Sequence, residues 1–478
     1  MPPEPVDLLI QARWVLPIAP INTALADHAI AVADGRIVAL GPSAEIHRRF
    51  AARDRIVRDE HALLPGLVNP YTQVAMTALR GIPVRGPRSR WLETIRPLQQ
   101  RLMTSELARD AARLAIAEML LAGITTFADH YAFPEATARV AAAARIRAAV
   151  GLPVRDSESA GSDPSDGFAQ AERLWDEYSS DPWVSLYFAP QNAARLTDAT
   201  LVRVRRVADE LDARIAMELH ETAEDVQECV ARYGQRPLQR MRTLGLLRPG
   251  AMGIRMGQLD SRDRDVMAGT GMSVAACLQA DLRLGAPSCP VWQLDHQHVA
   301  LGLGTADPAS AGALDVLAEA RCAALLYSAA SGTSGTSAPA ASVGPTGFSV
   351  SAGAAGASDA RGSASAAGSA ASEALRLATL GGATALGLGA TAGSLEPGKA
   401  ADLVCFDLRS LACQTPAATD AGAAVAAAIL FGATRGSITD VWTSGRAAVS
   451  GGQLLTFDES ELRACARHWA ARIQPELR

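Results

Sequence analysis

The sequence predicts an α/β protein: a (β/α)8 TIM barrel carrying a small β-sandwich domain formed by the N- and C-terminal segments. Three observations lead there. The middle of the chain alternates short apolar runs with helical periodicity, the pattern of βα units on a parallel sheet. Both ends carry strand and hairpin patterns, neither large enough to make a stable sheet alone. The length of 478 residues, 49% of them apolar, suits a barrel with a satellite domain better than one small domain.

Taken in order, residues 1–62 are expected to supply the first half of the sandwich. Residues 7–16 are β-rich, and Asp34-Gly35 between the apolar runs 28–32 and 36–41 is a strong two-residue hairpin signal. The barrel is assigned to residues 63–390. A helix over 104–121 ends before Gly123 and leads into a strand over 124–129. Further strands are predicted at 184–189, 215–219, 251–256, 273–276 and 299–303, with helices such as 198–211 and 223–233 between them. Residues 328–372 are almost wholly Ser, Gly, Ala and Thr. Such a composition buries too little apolar surface to offset its ordering entropy, so a disordered insertion is expected. A tolerated surface excursion is the favoured reading of it, and a tether or lid near the barrel mouth the other. Residues 391–456 return to the sandwich, and 457–478 read as a terminal helix opened by Asp458 or Ser460.

Composition excludes several classes of function. A net charge of -5 gives no electrostatic case for nucleic acid or an anionic membrane. The seven cysteines are scattered without a CxxC spacing, which reads as reduced thiols in a cytoplasmic protein. Residues 1–7 lack the basic and apolar regions of a secretory signal, and no run of about 18 apolar residues suggests a membrane span.

The opening barrel stretch, Leu63-Leu64-Pro65-Gly66-Leu67-Val68-Asn69-Pro70-Tyr71-Thr72-Gln73 and onward to Gly81, carries the first of several specific motifs. Others are Trp91-Leu92-Glu93, Gly123 to Asp129, Leu219-His220-Glu221-Thr222-Ala223, Gly234 to Leu238, Leu244 to Leu247, and Gly393 to Val404. Together they cover nearly the whole chain. They resemble the amidohydrolase superfamily, and within it the S-adenosylhomocysteine/5'-methylthioadenosine deaminases and triazine-type chlorohydrolases. The resemblance implies one divalent metal, zinc or iron, held by imidazoles and a carboxylate with one position open for water. It also implies a Glu and a His that shuttle protons.

Carried over residue by residue, the resemblance gives an unusual set. The first two ligand histidines fall on Tyr71 and Gln73, and the next on Glu218. The catalytic Glu is retained as Glu221, with His220 beside it. The catalytic His falls on Arg255, the following one on Ala276, and a substrate-contacting His on Gln191. The final Asp ligand falls on Ala306, with Asp307 one residue away and able to stand in for it. Tyr and Gln are poor zinc ligands and a guanidinium repels a dication, so no cofactor is expected. Arg255 is instead expected to pair with Glu218 and Glu221, replacing the charge of the ion.

His130, at the end of the strand over 124–129, is a possible ligand contact, as is His220. His296-Gln297-His298 imitates a metal motif but precedes its strand, which places it at the barrel bottom and makes surface histidines the plainer reading. The resulting expectation is a non-catalytic homologue that binds a ligand or supports a partner. The alternative is a divergent hydrolase or deaminase acting on C–N bonds of adenosine-type or other N-heterocyclic substrates. It would use unconventional ligands such as Glu218, Glu221 and Asp307, or no metal. Partners are expected to be a small molecule in the barrel mouth and a homodimer or a heteromer with an active paralogue, without nucleic acid or membrane.

Overall fold

Four N-terminal strands open the chain: β1 (Glu4–Val15), β2 (Leu25–Ala33), β3 (Arg36–Pro42) and β4 (Phe50–Pro65). These and all coordinates below come from a computed structural model, which describes residues 2–82, 88–156, 164–190, 196–332, 363–414 and 420–477. Asp34 and Gly35 turn β2 into β3 with φ of 48° and 72°, the doubly left-handed turn that matches strand twist.

The barrel follows with β5 (Leu67–Thr72), β6 (Ile124–Asp129), β7 (Arg147–Val154), β8 (Val184–Pro190), β9 (Arg214–Leu219), β10 (Ala251–Arg255), β11 (Ser273–Ala276) and β12 (Ala300–Leu303). Each pairs in parallel with the next. The ring is closed between its first and last strands by a parallel bridge from Thr72 to Ala306, where the Ala306 amide donates to the Tyr71 carbonyl at 3.1 Å.

The chain then returns as β13 (Leu403–Asp407), β14 (Ile438–Thr443), β15 (Arg446–Ser450) and β16 (Gln453–Leu454). β13 pairs with β4, so strands from both ends form one sheet in the order β16-β15-β14-β13-β4-β1-β2-β3. Its two halves enclose a common apolar layer: Leu8, Ile10 and Val32 on one side, Leu403, Cys405 and Trp442 on the other. Gly35 sits so close to Ser444 that a Cβ there would lie 2.9 Å from the Ser444 carbonyl oxygen. Sheet and barrel are joined where β4 runs into β5: the Gly66 amide donates to the Asp402 carbonyl at 2.8 Å.

The helix Ser105–Leu121 starts on Thr104, whose hydroxyl accepts from the Leu107 amide, and Gly123 then takes φ 76°. The terminal helix is Glu459–Ile473, opened by Asp458. Two elements were not legible. β7 lies in an alanine-rich stretch with no strand period, and the helix Pro164–Tyr178 follows a Ser/Gly/Asp-rich sequence. Helices Val316–Gly332 and Ser363–Arg376 occupy both flanks of the low-complexity segment expected to be disordered from 328 to 372, while 333–362 lie outside the described residues. Alanine favours helix strongly where neighbouring helices supply the packing. Among the described residues no helix is long and apolar enough to cross a membrane.

Candidate active site at the barrel mouth

A cavity of about 1100 Å³ opens at the C-terminal ends of the barrel strands. Tyr71, Gln73, His130, Glu218, Glu221, Arg255 and Asp307 all line it. The backbone is strained around this rim: His220, Arg255, Met256 and Ala306 take φ of 51°, 70°, 58° and 55° at or just beyond the ends of β9, β10 and β12. Left-handed backbone at non-glycine residues costs energy and collects at functional sites.

Two polar groups form the floor. In the first, Tyr71 is 1% exposed and its hydroxyl donates to Glu218 Oε1 at 2.6 Å, while Gln73 Nε2 donates to the Tyr71 oxygen at 3.0 Å. Burial pushes the Glu218 carboxyl up, but Arg88, His130, the Tyr71 hydroxyl and Arg255 outweigh it and hold it below the ordinary range. The second is an alternating row of charges. Arg88 donates to Glu221 Oε2 at 2.6 Å, and Arg255 Nε lies 2.9 Å from Glu221 Oε1. The same Nε makes its hydrogen bond to Asp281 Oδ1, also at 2.9 Å. Arg255 thus meets Glu221 as an ion pair without hydrogen-bond alignment, which leaves Glu221 Oε1, Arg255 Nη2 and Asp281 Oδ2 buried and unbonded. Burial dominates both acids: against the pull of Arg255 it raises Glu221 to about 7 and Asp281 to about 6.

His130 stacks at a tilt between Tyr71 and Tyr187, with ring centroids 5.7 and 6.0 Å away. Tyr187 donates to the Asp129 carbonyl at 3.0 Å, and burial lowers the His130 pKa. His220 turns away from the cavity. Its Nε2 accepts from the Leu238 amide at 3.1 Å and its Nδ1 faces the Gln258 carbonyl at 3.3 Å, an arrangement that calls for the neutral ring with the proton on Nδ1. Burial pushes its pKa down to about 4. Ala276 and Ala306 are fully buried in the barrel wall and do not reach the cavity. Asp307 lines it, but its carboxylate caps the helix Pro308–Ala311, with Oδ1 on the Ser310 amide and Oδ2 on the Ser310 hydroxyl. Gln191 lies outside the described residues. His296 and His298 are exposed, ahead of β12.

Three side chains of this site escaped the sequence reading: Arg88, Asp281 and Tyr187. Arg88 begins the helix Arg88–Leu102, three residues before the Trp91-Leu92-Glu93 motif, so an arginine-rich approach to that motif was its signal. Asp281 lies on the helix Leu278–Arg283 just beyond β11, where barrel chemistry is sought. Its partner Arg255 is remote in sequence, and nothing local marks the pair.

The barrel, its terminal sheet and the residues at the strand ends agree with the superfamily that the motifs resemble. The amidohydrolase family model matches residues 62–346 and 347–448, and the chain belongs to that family. It is similar to a 5-methylthioadenosine/S-adenosylhomocysteine deaminase of Teredinibacter turnerae, 32% identical over 98% of both chains. Among solved structures it resembles an adenosine deaminase from Xanthomonas campestris with bound zinc, at TM-score 0.88 and 37% identity, covering 99% of this chain and 100% of that one. A zinc-complexed atrazine chlorohydrolase from Arthrobacter aurescens shares the fold at TM-score 0.80 and 21% identity, over 97% and 99% of the two chains.

These comparisons correct two expectations. A non-catalytic homologue is not what end-to-end relatives named as deaminases support. The absence of a cofactor is not supported either, since the 37%-identical neighbour holds zinc and the family implies a metal. The side chains at the family ligand places nonetheless do not fit that ion. The Tyr71 phenol is bonded to Glu218, Arg255 brings a fixed positive charge, and Ala276 and Ala306 offer no donor. Among the described residues no three His, Cys, Asp or Glu side chains gather closely enough to hold a metal.

Proposed function

We propose that the chain is a deaminase-type hydrolase that cleaves the exocyclic C–N bond of an adenosine-type N-heterocycle bound in the barrel mouth. Glu221 carries the reading. It is buried on the cavity wall between two guanidinium groups, with a carboxyl pushed up to about 7, so it can both give and take a proton near neutrality. The deaminase names of the relatives at 32% and 37% identity support the same reaction class. The cavity of about 1100 Å³ is ample for a nucleoside, and Trp91, Tyr131 and Phe133 give it flat apolar walls.

The reaction consumes one water and releases ammonia. Water oxygen bonds to the carbon bearing the amino group, the neighbouring ring nitrogen takes a proton, and the C–N bond breaks as the amino group leaves protonated. Protonated Glu221 supplies the ring-nitrogen proton. Glu218, kept ionised and bonded by Tyr71, accepts the proton of the adding water and hands it to the departing amino group, and the added hydroxyl returns its proton to Glu221 as the carbonyl forms. Arg88 and Arg255 hold Glu221 at 2.6 and 2.9 Å.

The test is ammonia release and loss of the adenine absorbance with adenosine and 5'-methylthioadenosine, with elemental analysis of the same preparation. Turnover is expected, and Glu221→Gln should reduce it by about 10²- to 10⁴-fold, the usual worth of a general acid–base. A folded preparation that releases no ammonia from any adenosine-type substrate overturns the reading.

A further inference from the structure

We infer a second ligand site at the opposite end of the barrel, suited to a small anion with an apolar body such as an aromatic or short aliphatic carboxylate. A cavity of about 350 Å³ lies there, between the first residues of β8 and β9 and the turn at 386–388; no residue lines both cavities, and Tyr187 stands between them, with its hydroxyl toward His130 at the mouth. Its volume falls in the range of small-molecule pockets. The space exists because Ala149 and Ala216 are the inward-facing residues at this level of β7 and β9. Trp175, Leu186, Tyr187, Met252, Leu386 and Leu388 supply apolar walls.

Among the described residues Arg214 is the one cation lining this cavity. It is partly buried, its Nη2 donates to the neutral Ala385 carbonyl at 2.7 Å, and it forms no ion pair among the described residues. A guanidinium taken from water without an anion is under-compensated, and its planar fork fits a carboxylate. Burial alone accordingly lowers its pKa. The cavity's own acids do not serve it. Asp181 Oδ1 is occupied by the Trp183 and Val184 amides at 2.7 and 3.1 Å, and Asp212 points to solvent. The position of the guanidinium depends on Gly387, where a Cβ would lie 2.5 Å from Arg214 Nη1. Cation, apolar walls and the glycine that makes room come from separate parts of the chain and converge on one void.

The experiment titrates the full-length protein with benzoate and with benzyl alcohol by calorimetry and ligand-detected NMR. Benzoate should bind about tenfold or more tightly than the alcohol, and Arg214→Gln should remove that margin while Arg214→Lys retains part of it. Arg155 lines the mouth cavity and not this one, so Arg155→Gln should leave benzoate binding unchanged, and adenosine should not compete. Leu388→Trp narrows the void without removing Arg214 and should also abolish binding, which keeps the test informative if Arg214→Gln fails to fold. No saturable benzoate binding, equal affinity for the alcohol, or binding lost with Arg155→Gln but kept in Leu388→Trp would overturn the site. None of these outcomes depends on whether the mouth deaminates.

Discussion

Two arginine–carboxylate groups, one partly exposed in the terminal sheet and one fully buried at the barrel mouth, use the same residue types to opposite ends. In the sheet, Arg58 donates from Nε and Nη2 to the two oxygens of Asp440 at 2.9 and 2.8 Å. Asp440 also accepts from the Thr439 and Ser450 hydroxyls and the Gly451 amide. Burial would raise its carboxyl, but these bonds outweigh it and hold the carboxyl below the ordinary range. At the mouth Arg255 is shared between Glu221 and Asp281, and each member of the trio keeps a buried polar atom unbonded. There burial wins, and the acids sit at about 7 and about 6. A saturated pair locks one charge state and adds stability. An unsaturated one gives up stability and keeps a proton exchangeable near neutrality.

The largest test of this contrast is on turnover. Glu221→Gln should lower ammonia release by about 10²- to 10⁴-fold while Asp440→Asn leaves kcat within about twofold, as steady-state assays on both would read. Next is stability at the mouth: Arg255→Met leaves two buried carboxyls facing each other and should cost about 3–5 kcal/mol in urea unfolding at pH 8. A cost under about 1 kcal/mol there would mean the trio is not a coupled charge group. Asp440→Asn strands the Arg58 fork and should cost about 1.5–3 kcal/mol, with Glu221→Gln costing more at pH 6 than at pH 8 because the raised carboxyl contributes its stability on the acid side.

The pH dependence is smaller and has a definite sign. Asp281, Glu221 and Glu319 are raised by burial to about 6, 7 and 8, above their ordinary values of 3.8, 4.5 and 4.5. Their contribution to stability is therefore full at acid pH below those ordinary values and lost as pH rises through 6 to 8. Asp440, being depressed, contributes above 3.8 and loses its contribution only as pH falls below it. Thermal melting should decline from pH 6 to 9, and Glu319→Gln should flatten the upper part of that decline. A profile unchanged in Glu319→Gln would show that this carboxyl, which accepts from the Leu278 and Gln279 amides, ionises normally.

Much of the fold was legible because its signals are local. Asp34-Gly35 marked a hairpin, Thr104 and Asp458 marked helix starts, and the period of the apolar residues separated strand from helix. β7 was lost because Ala148 and Ala149 carry no period and only tertiary burial distinguishes them from helix. At the site, the sequence could place Tyr71, Gln73, Glu218, Glu221 and Arg255 on strand ends, since motif position is a property of the chain. It could not decide which acid Arg255 meets, that Arg88 arrives from outside the strands, or that His220 turns outward to Leu238. The residue types and their order along the barrel were thus determined by sequence alone. Which groups share charge, which oxygens stay unbonded and where a proton can rest were decided by the fold, because burial and through-space charge set those energies and neither is written in neighbouring residues.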